Sequence, residues 1–479
     1  MAPKEHEAMV PGTSTASIDS VSRRIPLIVA AAFFMETLDS TIITTALPAI
    51  ARSLHESALS LTASVTVYLV AMTAFVPTAA WVSKRLGARK LFAGAVAVFT
   101  LASLLCGVSP SFESLIAARA LQGVAAAFMS PVGRLIVLRE TPKQRIIQAI
   151  GLTVWPGLIA PVIGPPLGGF ITTYASWRWI FLINIPFGMI GVYLVLRFVP
   201  HDRKEPHARF DSTGFVLTGA ALSGLIYGLS LVAEGERGLI LGGAFLAGGL
   251  VCGFAAVRHA LRHPSPMLDL AALAFPTFAL STATAGFVAR IPISMTPFLL
   301  PLMFQIGFGA NAFQAGLMLL VYMAGNLAMK SVTTPILHRF GFRDVIRVNG
   351  IICVAALLAC GLLSPSVPMA IIDVVLFVAG MSRSMNFTCM TSLAFADIPE
   401  SMRAGATTLA AMAQQAAATM GVALAAVALG VMRNARGGTQ LALVDFQRAF
   451  FVAALLMAIG VMWAMRLPRD AGAELSGRS

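Results

Sequence analysis

The residues of this sequence that could do chemistry are few, and they stand where charge is costly. Glu36 and Asp39 sit three apart inside an apolar stretch, 25–48, and Arg119 sits inside another, 112–138. A spacing of three puts both carboxylates on one face of a helix. An ionisable side chain at the centre of a membrane helix costs about 2.5–3.5 kcal/mol on insertion scales, so it usually faces a cavity or a partner. If the first stretch ends outside near Pro48, Asp39 lies roughly 13 Å below that edge, at a rise of 1.5 Å per residue. Arg119 lies roughly 11 Å in from the same side. The depths match well enough for an ion pair. A carboxylate released from Arg119 on protonation would couple proton movement to a change of shape; the competing reading is a permanent Asp39–Arg119 brace. Spacing leaves open which carboxylate titrates.

A second set lies later in the chain: Arg290, Lys330, Asp373 and Arg383. By depth, Arg290 and Asp373 are expected to pair in the outer half. Arg383 is expected to face a cavity, and Lys330, near an inner helix end, to snorkel. Gln414 and Gln415 offer a polar contact to a pathway or to a neighbouring helix. Phe33 and Met295, with other Phe and Met residues, fit an apolar cavity lining or a packed core equally. All seven histidines fall in loops or tails, so a buried histidine relay is not expected. The five cysteines lie in apolar segments with no metal-ligand spacing, and no metal site is expected. There is no phosphate-binding Gly-rich loop and no metalloprotease or nucleophile-elbow motif, so an enzyme is not expected, nor a cofactor; a proton gradient would be the energy source.

The elements that position these groups follow from composition. Of 479 residues, 57% are hydrophobic and only 11% charged, against roughly a quarter charged in soluble chains. This excludes a soluble enzyme, a disordered chain and a disulfide scaffold, and points to an all-α polytopic membrane protein. The net charge of +13 does not indicate nucleic-acid binding, because the basic residues fall in short loops. Apolar stretches of about 20 residues place 14 transmembrane helices near 25–48, 59–82, 90–108, 112–138, 147–174, 178–199, 212–232, 238–258, 273–305, 311–335, 344–363, 367–395, 404–431 and 447–466. Alternate loops are rich in Lys and Arg, which puts both termini in the cytoplasm. The loop holding Arg433 and Arg436 is the exception. Span 9, with Pro292, Pro297 and Pro301, should be bent or broken.

An internal repeat organises the spans. Arg85-Leu-Gly87-Ala-Arg89 after span 2 returns as Arg339-Phe-Gly341-Phe-Arg343 after span 10. If span 2 corresponds to span 10, the chain is two six-helix bundles with two inserted helices. The expected organisation is a polar N-terminus 1–24, a first bundle 25–199, a linker and inserted pair 200–260, a second bundle 273–466 and a tail 467–479. Repeated bundles with a site at their interface are a transporter architecture. Span 5 is dense in Gly and Pro (Gly157, Pro161, Gly164, Pro165, Pro166, Gly168, Gly169), which allows close helix approach. Trp177 and Trp179 open span 6 as an interfacial anchor.

These motifs resemble the 14-helix drug:proton antiporters of the major facilitator superfamily (EmrB/QacA type). Leu38-Asp39-Ser40-Thr41 with Ala46-Leu47-Pro48 is similar to that family's span-1 signature, 80–90 to its loop between spans 2 and 3, Arg119-Ala-Leu-Gln122-Gly123 to its span-4 motif, and 157–169 to its span-5 antiporter motif. The resemblance implies the major facilitator fold in the inner membrane, alternating access, and proton-driven export of small amphipathic or toxic compounds. Asp39, Glu36 and Arg119 would be the coupling groups. Arg85, Gly87, Gln122, Gly123, Gly157, Gly164, Pro165, Gly168 and Gly169 would be the conformational motifs. Arg290, Asp373, Arg383, Gln414, Phe33 and Met295 are the candidates for the substrate cavity. The loop departs from the family pattern: Lys84 stands where Asp is usual and Ala80 where Gly is, so no charge latch through that position is expected. The expected partners are a small molecule, protons and the bilayer; a periplasmic adaptor is unassigned. The competing function is an importer or facilitator of a polar metabolite.

Overall fold

The computed structural model describes residues 15–142, 145–201, 210–232, 236–264 and 266–467. The expected tail 467–479 lies almost wholly outside them, as does most of the N-terminal segment, although the first helix already begins at Thr15. Among the described residues there are 14 helices long and apolar enough to cross a membrane. They are α1 (Arg24–Ser53), α2 (Thr62–Leu86), α3 (Ala88–Val108), α4 (Phe112–Glu140), α5 (Gln148–Tyr174), α6 (Trp179–Phe198), α7 (Ser212–Val232), α8 (Gly238–Ala260), α9 (Pro276–Gly307), α10 (Ala312–Phe340), α11 (Phe342–Gly361), α12 (Met369–Ala394), α13 (Gly405–Ala435) and α14 (Leu443–Ala464). With no water in a bilayer core, each segment must satisfy its own backbone, and long helices do so.

The packing repeats with an offset of eight helices. α1 packs on α5 and α6, and α9 packs on α13 and α14. α2 with α4, α3 with α4 and α3 with α6 return as α10 with α12, α11 with α12 and α11 with α14. The contacts between the two sets obey the same operation, since α5 meets α10 and α2 meets α13. The inserted helices α7 and α8 pack on each other, and α7 also touches α2 and α13. The repeat extends to backbone detail. Gly87 and Gly341 both take positive φ, 85° and 76°. Each donates its N–H to the carbonyl four residues back, Ser83 and Leu337, at 2.9 Å. Only glycine adopts that conformation without strain, which is why the loop motif centres on it.

Two expectations are corrected. Span 9 is not broken at its prolines: one α-helical stretch, Ala285–Leu302, runs through all three. The irregularity sits at its ends, as π-helical turns at Ala279–Ala283 and Met303–Gly307. The proline-rich stretch is buried on nearly every side; beside the second π-turn, Gln305 Nε2 donates to Pro301 O at 3.2 Å and to Thr45 O of α1 at 3.0 Å, tying α9 to α1. Trp177 is buried and lies 4.3 Å under the Arg178 guanidinium, so only Trp179, 57% exposed, stands as an anchor. In the loop that broke the charge pattern, one of the two arginines is neutralised: Arg436 binds both carboxylate oxygens of Asp445 at 3.3 and 3.0 Å, while Arg433 binds the neutral Asn434 amide oxygen.

The two halves close tightly at the end away from Gly87 and Gly341. A Cβ on Gly169 of α5 would meet the Ala312 carbonyl oxygen of α10 at 2.2 Å. The Phe313 N–H donates to Thr173 Oγ1 at 3.2 Å, and Phe170, Tyr174 and Phe313 stack beside it. Backbone cannot yield as a flexible side chain can, so Gly169→Val must part α5 from α10. The variant is expected to unfold at a markedly lower temperature than the parent, because the α5–α10 seam must open around the added side chain. Thermal unfolding of the two purified proteins side by side checks this.

Candidate functional site

The first site is a buried polar knot where α1, α3, α4 and α6 meet. Arg119 Nη1 donates to Asp39 Oδ2 at 2.6 Å, with both side chains wholly shielded. Asp39 Oδ1 accepts from Gln122 Nε2 and from Asn184 Nδ2, each at 2.9 Å. Ser103 Oγ takes further bonds from the same two amides. Arg119 Nη1 also reaches Gln122 Oε1 at 2.6 Å, its Nε reaches the Ser64 carbonyl at 3.3 Å, and its guanidinium lies 4.3 Å over the Tyr68 ring. The Asp39–Arg119 pair inferred from depth is therefore present. Asp39 takes three donors and offers none, the behaviour of an acceptor-only carboxylate.

Glu36, one turn earlier in α1, is placed differently. It is buried, 6% exposed, and turned into the first bundle. Its hydrogen-bond partner is the Ser130 hydroxyl, 2.9 and 3.1 Å from its two oxygens. No cation pairs with it among the described residues; Asp39 and Arg134 are the charges close enough to act on it. A serine hydroxyl donates to a carboxylate and accepts from a carboxylic acid, so the site suits either protonation state.

The span-5 motif lies between the halves. Gly164 and Gly168 of α5 press on Thr41 and Ile42 of α1, Pro165 O lies against Gly316 of α10, and Gly157 faces open space. Gly123 of α4 abuts the Tyr68 carbonyl of α2. Arg85 is exposed and stacks on Trp81.

The second-half expectations fare less evenly. A cavity of about 170 Å³ opens between α5, α10 and α12, and Gly157, Lys330 and Arg383 line it. Arg383 faces it as expected. Lys330 does not snorkel; its Nζ donates to Thr388 Oγ1 of α12 at 2.8 Å, because α12 offers a partner closer than the helix end. Arg290 and Asp373 do not pair. Arg290 Nη1 donates to the Ser281 carbonyl at 2.8 Å, a group exposed by the π-turn, and Asp373 Oδ1 is buried without a hydrogen-bond partner. Met295 is wholly buried in the shared apolar core, and Phe33 packs on Gly133 in the first bundle, so neither lines the cavity. Gln414 is half-buried, while Gln415 Nε2 reaches Met72 Sδ across the halves at 3.5 Å. Sequence reasoning missed Ser103 and Ser130. Asn184 was visible as a lone amide in an apolar span.

Asp211, His259 and His263 bring one ligand atom each within 4.8 Å of one another. Asp211 caps α7 through Gly214 N at 2.8 Å, and also takes His259 Nε2 at 2.7 Å and Met267 N at 3.0 Å. Burial opposes the charge, but these donors hold its carboxyl below the ordinary value. A depressed carboxyl stabilises the fold above its unfolded pKa of about 3.9 and loses that contribution as pH falls through the folded value. Asp211→Ala is expected to cost about 1–3 kcal/mol, as a lost cap and orphaned donors. The difference in melting temperature from the parent should be full at pH 7 and shrink below pH of about 4.

Comparison with known proteins agrees with this architecture. Residues 29–422 match the sequence profile of the Major Facilitator Superfamily. A protein of Serratia proteamaculans carrying the name multidrug resistance protein MdtD is 35% identical over 456 residues, covering 92% of this chain and 93% of its own. A Yersinia enterocolitica protein of the same name is 33% identical, with 93% and 95% covered. Among solved structures, the nucleoside transporter NupG superposes with a TM-score of 0.64 at 13% identity, covering 92% of this chain and 99% of that one. A bacterial homologue of the human lysosomal transporter Spinster, inward-facing and unoccupied, gives 0.61 at 15% identity, with 95% and 97% covered.

Proposed function

The chain belongs to the major facilitator superfamily, a multi-pass transporter of the inner membrane and not an enzyme, and on that footing we propose that it exports small amphipathic molecules in exchange for protons, as a multidrug-type antiporter. The observation that carries this reading is the contrast between two neighbouring carboxyls. Asp39 is tied by three donors, including a guanidinium, and acts as a brace that fixes α1 against α4 and α6. Glu36 has one hydroxyl partner that serves it charged or neutral. Glu36 is thus the proton carrier, and the Asp39–Arg119 knot holds it in place. The relatives' name supports multidrug substrates.

Alternating access follows from the seams. α5 against α10 and α2 against α13 are equivalent by the repeat, so rocking one half on the other opens one end as it closes the other. With the basic loops inside, the end sealed by Gly169 and Phe313 faces outward, both termini are cytoplasmic, and the cavity opens toward the cytoplasm. Everted membrane vesicles test the coupling. Substrate uptake should require an acidic interior and stop when the pH gradient is collapsed at constant membrane potential. Uptake that ignores the gradient would refute the exchange.

A further inference from the structure

We propose that the inter-bundle cavity binds an organic anion: a carboxylate or like acid joined to a flat apolar body. The inference rests on the transport reading above and names its substrate class. Two cations line the cavity, Lys330 from α10 and Arg383 from α12. Among the described residues neither is paired with a carboxylate. Lys330 has the neutral Thr388 hydroxyl; Arg383 Nη1 has the Met323 thioether at 3.8 Å, and its guanidinium lies 5.8 Å from the Tyr322 ring centre. Arg290 is not part of the lining, but its charge, like that of Lys330, lies 6.0 Å from the Phe387 ring centre, and it donates to a backbone carbonyl rather than to an acid.

Gathering positive charge in a partly desolvated space is costly unless a counter-charge arrives. The first bundle shows the contrast: its buried guanidinium, Arg119, has Asp39 on it. No carboxylate is among the residues that line this cavity, so the counter-charge is left to the cargo. A further polar atom points the same way. Ser384 lines the cavity, is 1% exposed, and its Oγ has no hydrogen-bond partner, so a donor waits beside the two cations. Apart from the Asn326 amide of α10, the rest of the wall is apolar, with Leu158 and Val162 supplied by α5 and Phe387 by α12. An acid head between Lys330, Arg383 and Ser384 with a ring against Phe387 satisfies both halves of the site. A cation of the same shape would meet like charge.

Equilibrium binding to the purified protein in neutral detergent tests this without a proton gradient, so a failure of coupling leaves the outcome untouched. Three probes share one naphthalene body: 2-naphthoate, its neutral amide, and the corresponding naphthylmethylammonium. Titration calorimetry should rank naphthoate at least ~10-fold above the amide, the ratio that about 1.4 kcal/mol provides, with no detectable ammonium binding. Lys330→Gln should lower naphthoate affinity at least ~10-fold and leave the amide unchanged. Arg383→Gln should do the same, and Arg383→Lys should recover most of the loss. If Arg383→Gln does not purify as folded protein, Lys330→Gln, whose half-buried side chain makes one hydrogen bond, decides alone. No naphthoate binding, equal affinity for amide and naphthoate, preference for the ammonium, or naphthoate affinity unaffected by Lys330→Gln would each overturn the proposal.

Discussion

Glu36→Gln is expected to reduce gradient-driven transport to the level of vesicles lacking the protein, while the fold survives intact. Gln is nearly isosteric and keeps a carbonyl oxygen for the Ser130 hydroxyl. The exchange removes one titratable proton and little else, so stability should change by no more than about 1 kcal/mol, the net worth of a typical hydrogen bond. Binding of substrate without a gradient should persist. Asp39→Asn makes the control. There the new amide would turn an N–H₂ toward Gln122 or Asn184, which already donate to that position. It should lose stability as well as transport, and its defect should show in the melting curve. Thermal unfolding and vesicle uptake measured on both variants separate proton carrier from brace. Full uptake by Glu36→Gln would move the proton to another group.

What was readable in the sequence divides along physical lines. The ion pair was readable because charge inside a span is rare and depth counts residues: Asp39 and Arg119 could be matched with no view of the fold. The repeat was readable because a positive-φ glycine between arginines is a local requirement, met at Gly87 and Gly341 alike. The hydroxyl partners were not. Serine and threonine in helices commonly bond their own backbone, as Ser40, Thr41 and Ser83 do here, so nothing marked Ser130 or Ser103 as different. Arg290 was assigned to Asp373 because its true acceptor is a carbonyl freed by a π-turn at Ala279–Ala283, and no side chain announces that turn. Phe33 and Met295 read as cavity residues for a simpler reason: hydrophobicity does not say whether a residue meets a ligand or another helix.

Arg119→Ala is the larger structural insult, and its cost should come from what it leaves behind. The guanidinium is wholly buried, closes the knot on Asp39, Gln122 and the Ser64 carbonyl, and covers the Tyr68 ring. Removing it strands the Asp39 charge with two amides in a dry interior. Breaking one side of a buried pair typically costs about 3–5 kcal/mol, whereas replacing both partners by apolar groups is often neutral. The single variant should therefore yield little monodisperse protein and show a sharply lowered melting temperature. The double variant Asp39→Leu/Arg119→Met should recover most of that stability. Its transport should stay impaired, because apolar packing does not fix α1 in rotation as the bonds from Arg119, Gln122 and Asn184 do, and Glu36 depends on that rotation to meet Ser130. A double variant as unstable as the single one would mean that the knot stabilises by its bonds rather than by avoiding a stranded charge. One that transported normally would reduce the knot to packing and leave Glu36 to work without it.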